Sequence, residues 1–191
     1  MKAIGIVGSP RKNGNTQFLT KHALKAIAEE GIDTELIKLA GLDIRPCDAC
    51  RACRKKEDYC SIKDDFLPVY HKMQDADAII ISSPVYFGSA TALVKSVIER
   101  AGAMSGRRRL FAGKVGGPLV VARRAGHNFT FAQLMFWFHH QGFYMPGSTY
   151  WNIAFGTEEK DGVKSDEEGL RTAWNFGKNV AFLVKKLKAN S

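Results

Sequence analysis

Residues 3–16, Ala3-Ile4-Gly5-Ile6-Val7-Gly8-Ser9-Pro10-Arg11-Lys12-Asn13-Gly14-Asn15-Thr16, carry the reading that decides the fold. Ala3 to Gly8 is apolar without alternation, as a strand buried on both faces of a parallel sheet requires. A helix follows, with Leu19, Ala23, Ala26 and Ile27 on one face to about Glu30. The polar stretch between them is a strand-to-helix turn. Such a turn aims backbone N–H groups and the positive end of a helix dipole at an anion. Ser9, Asn15 and Thr16 can donate to phosphate oxygens, and Arg11 can neutralise charge. A plain capped turn, with Asn15 or Thr16 at the helix start, explains the same residues. No lysine follows Gly14, so this is not a nucleoside-triphosphate loop, and Gly5 to Gly8 does not spell the dinucleotide fingerprint.

Working outward, residues 34–39 alternate and read as a second strand, and Ala76 to Ile81 is a third, fully apolar in its second half. The third stops at Ser82-Ser83-Pro84-Val85-Tyr86-Phe87-Gly88, and a helix with Ala90, Leu93, Val94, Val97, Ile98 and Ala101 on one face follows. This second loop has an aromatic tip. Tyr86 and Phe87 could serve as core aromatics, but the Ser-Pro before them and the glycine after them favour a loop. A fourth strand spans 114–123, where Pro118 implies an edge or bend in the first half, and a fifth spans 143–154. Asp64 caps a helix to about Gln74, and a closing helix runs from Asp166 to about Lys188.

Strands alternating with helices imply an α/β protein, one domain over residues 1–191. The expected architecture is a flavodoxin-like, doubly wound, five-stranded parallel sheet in order 2-1-3-4-5, with a cysteine-rich loop at 45–63 after strand 2. Both strand-to-helix loops then meet at the carboxyl edge, one suited to a phosphate and the other to a planar ring. From Phe129 to Phe138 apolar residues occupy nearly every side of a helix, more than one buried face needs, so a subunit contact is expected. His71 reads as a surface residue and His139-His140 as partners of a helix C-terminus.

All four cysteines, Cys47, Cys50, Cys53 and Cys60, fall within fourteen residues, separated by two, two and six. Two-residue gaps let a looping backbone turn successive thiolates toward one centre, as in ligands of a cubane cluster, and the six-residue gap brings in a fourth. Zinc would accept the same thiolates, although structural zinc sites usually present two cysteine pairs with a longer spacer. A disulfide pair or unligated thiols are the other readings. The run differs from that of bacterial ferredoxins: its last gap is longer, and Ser61 stands where those have proline.

At 191 residues, 45% hydrophobic and 25% charged, the chain is globular in composition. Its start lacks the features of a signal peptide, and its most apolar segment is too short for a bilayer, so a cytoplasmic protein without a membrane partner is expected. The net charge of +9 is either a solvated basic surface or a means of steering toward an acidic protein or anionic cofactor. Arg107-Arg108-Arg109 lacks the interleaved aromatics of a nucleic-acid surface, so no nucleic-acid partner is expected. No Gly-x-Ser-x-Gly elbow or paired-histidine zinc motif supports a hydrolase.

The order and spacing of Gly8 to Thr16, the four-cysteine run, Cys60-Ser61-Ile62-Lys63-Asp64-Asp65, Ser83 to Gly88 and Gly147-Ser148-Thr149-Tyr150-Trp151 resemble the iron–sulfur flavoprotein family, related to flavodoxin-like NAD(P)H-dependent FMN reductases. The resemblance implies FMN phosphate binding at Ser9, Arg11, Asn15 and Thr16, with Asn13 and Gln17 completing the candidate set in that loop. It implies flavin-ring contacts from Pro84, Val85, Tyr86, Phe87 and Gly88, and a [4Fe–4S] cluster on Cys47, Cys50, Cys53 and Cys60. A third flavin loop falls at Ala122-Arg123-Arg124-Ala125-Gly126-His127, with Ala125-Gly126 where relatives often show a glycine pair. It also implies a homodimer or dimer of dimers, with the cluster of one subunit near flavin at a subunit contact. The expected function is electron transfer between cluster and FMN, no side chain acting as acid or base, with a small electron-transfer protein such as ferredoxin, or NAD(P)H, as partner. The alternatives are an NAD(P)H-dependent FMN or quinone reductase without a cluster, and a non-catalytic module with zinc at the cysteines and nucleic acid on the basic surface.

Overall fold

The apolar opening run becomes strand β1 (Lys2–Val7), one of five parallel strands in a computed structural model that describes residues 1–157 and 162–189. The others are β2 (Asp33–Lys38), β3 (Ala78–Pro84), β4 (Val115–Ala122) and β5 (Ile153–Phe155), in the order β2-β1-β3-β4-β5. The register places Ile4 beside Glu35 and Ile79, and Ser82 beside Leu119. Between and after the strands come helices α1 (Asn15–Ala28), α2 (Phe66–Asp75), α3 (Ala92–Ser105), α4 (His127–Gln141) and α5 (Glu167–Ala189).

Alternating side chains send the strands into two cores. Ile4, Ile6, Ile79 and Ile81 pack with α2, α3 and α4 on one face. Ala3, Ala78, Ile80 and Val121 pack with α1 and α5 on the other. With both faces covered, β1, β3 and β4 are almost wholly buried, which is why their sequences are apolar runs. Glycine lets α5 lie against α1: a Cβ on Gly177 would stand 2.4 Å from the Ala23 carbonyl oxygen.

Several boundaries differ from the sequence reading. The third strand does not stop before Ser82 but runs through Pro84. Tertiary hydrogen bonds make these hydroxyls compatible with a buried strand: Thr20 Oγ1 lies 2.7 Å from Ser82 Oγ, and Ser83 Oγ accepts from Thr91 N–H at 3.1 Å. The fifth strand is three residues, not twelve, and earlier only Tyr144 bridges to Val115. In β4, Gly116 and Val120 donate to Tyr144 and Asn152 on the β5 side, and Pro118 sits between them where β5 does not reach. The proline thus marks an unpaired stretch on one side of a strand paired along its length to β3. Asp64 is not the cap residue of α2; that position is Asp65, and Asp64 receives the Phe66 N–H at 3.2 Å while its side chain is buried in an ion pair. No described helix is long and apolar enough to cross a membrane.

Candidate functional site

Two sites emerge, one at the carboxyl edge of the sheet and one in the cysteine loop. At the edge, β1 and β3 are neighbours whose following helices lie on opposite faces, so their loops diverge and leave a crevice. A cavity of about 160 Å³ opens there, walled by Ser9, Arg11, Gly14, Asn15 and Thr16 from the first loop and Pro84, Val85 and Tyr86 from the second. Val121 and Ala122 at the end of β4, Arg123 just beyond it and Gly156 after β5 complete it.

The first loop delivers α1 with its N-terminus open. Its N-cap is Gly14, with no side-chain hydrogen bond capping the first turn, so the plain capped turn is not what forms. Asn15 instead spans to the neighbouring segment, donating from Nδ2 to Thr157 O at 2.8 Å and accepting from Val163 N–H at 3.2 Å. Ser9 is buried and its Oγ accepts the Arg11 N–H at 3.2 Å, which curls the loop around the cavity. Uncapped first-turn N–H groups, two buried hydroxyl residues and an arginine are a donor set for an anionic oxygen cluster, and the side chain absent at Gly14 leaves room for it.

The second loop reverses through Phe87 and Gly88, both at positive φ (51° and 77°), closed by paired hydrogen bonds between Tyr86 and Ser89. It is a tight turn rather than core: Phe87 is fully exposed and Tyr86 half-exposed. Behind it Gly126, at φ 89°, packs against Val85; a Cβ there would lie 2.7 Å from Val85 Cγ1. His127 is buried, its Nε2 3.1 Å from Ala154 O and its ring against Phe155, and burial pushes its imidazole below the ordinary value.

The cysteine loop leaves β2 and returns to α2, with one 3₁₀ turn (Ala52–Arg54) in between. Its neck is closed by Asp43 and Asp65, each donating its N–H to an oxygen of the other at 2.9 and 2.8 Å. Ala49 and Arg51, either side of Cys50, both adopt left-handed backbone, at a cost of about 1–2 kcal/mol per residue. All four cysteines are free thiols lining one cavity of about 290 Å³, with Cys47 and Cys50 exposed, Cys53 half-buried and Cys60 buried. Ala103 and Met104 of α3 form part of its wall. Among the described residues, no three Cys, His, Asp or Glu side chains converge on a single ion position. Burial pushes the Cys53 thiol up, and the neighbouring thiols Cys47, Cys60 and Cys50 act in the same direction. Four soft sulfur donors around one partly apolar cavity fit a bound metal group.

The NADPH-dependent FMN reductase family matches residues 1–158. An iron–sulfur flavoprotein of Methanocaldococcus jannaschii is 43% identical over 98% of this chain and its own full length. An iron–sulfur flavoprotein of Methanosarcina thermophila is 34% identical over all of this chain and 98% of its own. The chain belongs to the iron–sulfur flavoprotein family. Among solved structures, RosB superposes with a TM-score of 0.78 at 20% identity, covering 99% of this chain and 81% of RosB, a likeness of fold. Like the family whose model it matches, this iron–sulfur flavoprotein family member is an oxidoreductase, so the non-catalytic reading falls.

Of the residues proposed from the sequence of this iron–sulfur flavoprotein, the edge cavity gathers Ser9, Arg11, Asn15, Thr16, Pro84, Val85 and Tyr86. Asn13 and Gln17 do not line it; Gln17 Nε2 donates to Asn13 Oδ1 at 3.2 Å. Phe87 and Gly88 form the turn outside it. Arg123, unassigned from the sequence, lines the cavity, whereas Arg124 does not. The residue sequence reasoning passed over is Arg100, which lines the cysteine cavity and is 1% exposed. Its signal was a charge at helical spacing from Leu93, Val97 and Met104, on a side of α3 that had to be buried.

Proposed function

We propose that this chain passes electrons between a [4Fe–4S] cluster on Cys47, Cys50, Cys53 and Cys60 and FMN in the carboxyl-edge cavity, exchanging them with an external redox partner. The observation that carries this reading is that all four cysteines line one cavity, apart from the cleft formed by the strand-to-helix loops. When bound, the cluster would supply one-electron chemistry and the flavin a junction between one- and two-electron steps. The protein's part is binding and placement. First-turn N–H groups of α1, Ser9, Thr16 and Arg11 would hold the FMN phosphate, and the Pro84–Tyr86 backbone with Arg123 would face the ring system. No side chain need move a proton.

The sites sit at opposite ends of α3. Thr91, its cap, adjoins the second loop, and Ala103 lines the cysteine cavity. Twelve residues of helix separate them by roughly 18 Å. A second copy of the chain would bring one subunit's cysteine cavity nearer the other's cleft. The exposed aromatics Phe129 and Phe136, seven residues apart on one side of α4, supply an apolar face for that contact. Free thiols suit a reducing compartment such as the cytoplasm, where an acidic carrier of the ferredoxin kind would meet a chain of net charge +9.

The test is an anaerobic absorbance spectrum with iron, sulfide, zinc and FMN quantified on one sample. About four irons and four sulfides per chain with FMN are expected. Cys50→Ala should lose the cluster absorbance and keep FMN. FMN without iron, after anaerobic reconstitution has also failed, would overturn the cluster reading. A second reading, direct reduction of the flavin by NADPH, is favoured by the family match over residues 1–158. Rapid bleaching of the flavin by NADPH in the Cys50→Ala variant would support it.

A further inference from the structure

The buried guanidinium of Arg100 is bound on nearly every side. Its Nη2 donates to Cys60 Sγ at 3.2 Å and to Ile62 O at 3.4 Å. Its Nη1 donates to Asp64 Oδ2 at 2.5 Å and to Arg45 O at 3.1 Å. Phe66 stacks beneath it at 4.1 Å. The remaining donor, Nε–H, is buried without a partner among the described residues, on a side chain that lines the cysteine cavity. Asp64 in turn accepts the Arg45 N–H at 2.9 Å. One side chain of α3 thus grips both ends of the cysteine loop and the sulfur of one of its thiols.

An arginine serving only to fasten the loop needs the two carbonyls and the carboxylate. It needs neither a contact to sulfur nor an unpaired donor on the side chain that lines the cavity, and a buried unpaired N–H is costly. Both are accounted for if the cavity receives a group rich in sulfur acceptors and negative charge. N–H···S bonds and nearby positive charge lower electron density at thiolate ligands and set the potential of an iron–sulfur centre. One-electron reduction adds one negative charge to such a centre, so a fixed positive charge beside Cys60 stabilises the reduced form.

We propose that Arg100 is the positioning residue of the cysteine cavity and raises the reduction potential of the centre held there, with Asp64 as its counterweight. This rests on the cluster reading above. Asp64 fixes the guanidinium against Cys60 while offsetting part of its charge, so the two residues move the potential in opposite directions.

The experiment is an anaerobic redox titration of the intact protein with dithionite, followed by the electron paramagnetic resonance of the reduced centre, for wild type, Arg100→Met, Arg100→Lys and Asp64→Asn. Iron, sulfide and FMN are quantified for each. Arg100→Met should lower the midpoint potential and alter the resonance line shape, Arg100→Lys should restore part of the shift, and Asp64→Asn should raise the potential. A purely structural role would change cluster content without shifts of opposite sign. If Arg100→Met takes up no cluster, Arg100→Lys and Asp64→Asn decide the matter, since each keeps a cation at the site. Unchanged potentials in cluster-bearing variants would overturn the proposal. A wild type without iron after reconstitution would overturn the underlying cluster reading instead.

Discussion

Thr91 ties the two loops of the cleft together. Its Oγ1 donates to Gly8 O at 2.7 Å, at the end of β1, and accepts the Val94 N–H at 3.3 Å as the cap of α3. Its own N–H goes to Ser83 Oγ at 3.1 Å. Thr91→Ala removes a cap and strands a buried carbonyl, so a loss of about 1–2 kcal/mol is expected in chemical denaturation, with weaker FMN binding, and Thr91→Ser should recover most of it. Gly126 acts by what it lacks. A methyl there meets Val85 Cγ1 at 2.7 Å and Gly88 Cα at 3.2 Å, at φ 89°. Gly126→Ala should cost about 1–3 kcal/mol and displace the second loop; unchanged flavin fluorescence quenching and stability would contradict this. Neither role was legible in the sequence. Thr91 is one polar residue before an apolar helix, and the demand on Gly126 comes from a loop nearly forty positions earlier in the chain.

At the scale of elements, α1 and α5 are fastened at one end by Glu30, whose carboxylate receives Lys178 and Lys185, each at 2.8 Å. Those two hydrogen bonds hold its carboxyl down at about 2, from an ordinary value of 4.5. The folded state therefore binds this proton less readily than the unfolded chain, and the clasp's contribution is complete above about 4.5 and lost as pH falls toward 2. Glu30→Gln should flatten the acid limb of melting temperature against pH in that window by lowering the curve slightly at neutral pH, as loss of an exposed pair should, with variant and wild type converging near pH 2. A wild-type acid limb retained in the variant would show that other carboxylates carry it. The helices were legible from apolar periodicity, but β5 was overextended. Residues 143–152 carry aromatics as a strand would, yet before Ile153 β4 bonds only to Tyr144 and Asn152 among the described residues. Local propensity says nothing about whether a neighbouring strand is within reach.

At the scale of the whole molecule, Phe129 and Phe136 are 78% and 74% exposed on α4, and Tyr150, Trp151 and Phe155 are half-exposed beyond it. A second copy covering this face predicts a dimer or larger assembly by sedimentation velocity, shifted toward monomer in Phe136→Glu with FMN retained; a wild type that is monomeric at all concentrations would exclude it. The sequence by itself determined the strand order and the grouping of four thiols in one loop. Unbroken apolar runs are possible only for strands covered on both faces, and cysteines at such short separations cannot be spread across a fold. Only the tertiary structure decided that Asn15 reaches across to residues 157 and 163 instead of capping its own helix. The same holds for Asn13 and Gln17, which bond to each other instead of lining the cleft, and for a buried arginine on α3 that meets a cysteine forty positions earlier. Short-range pattern reports which face of an element must be buried. Which polar group waits on the other side is set by packing between segments distant in the chain, and that is where Arg100 acquired its partner.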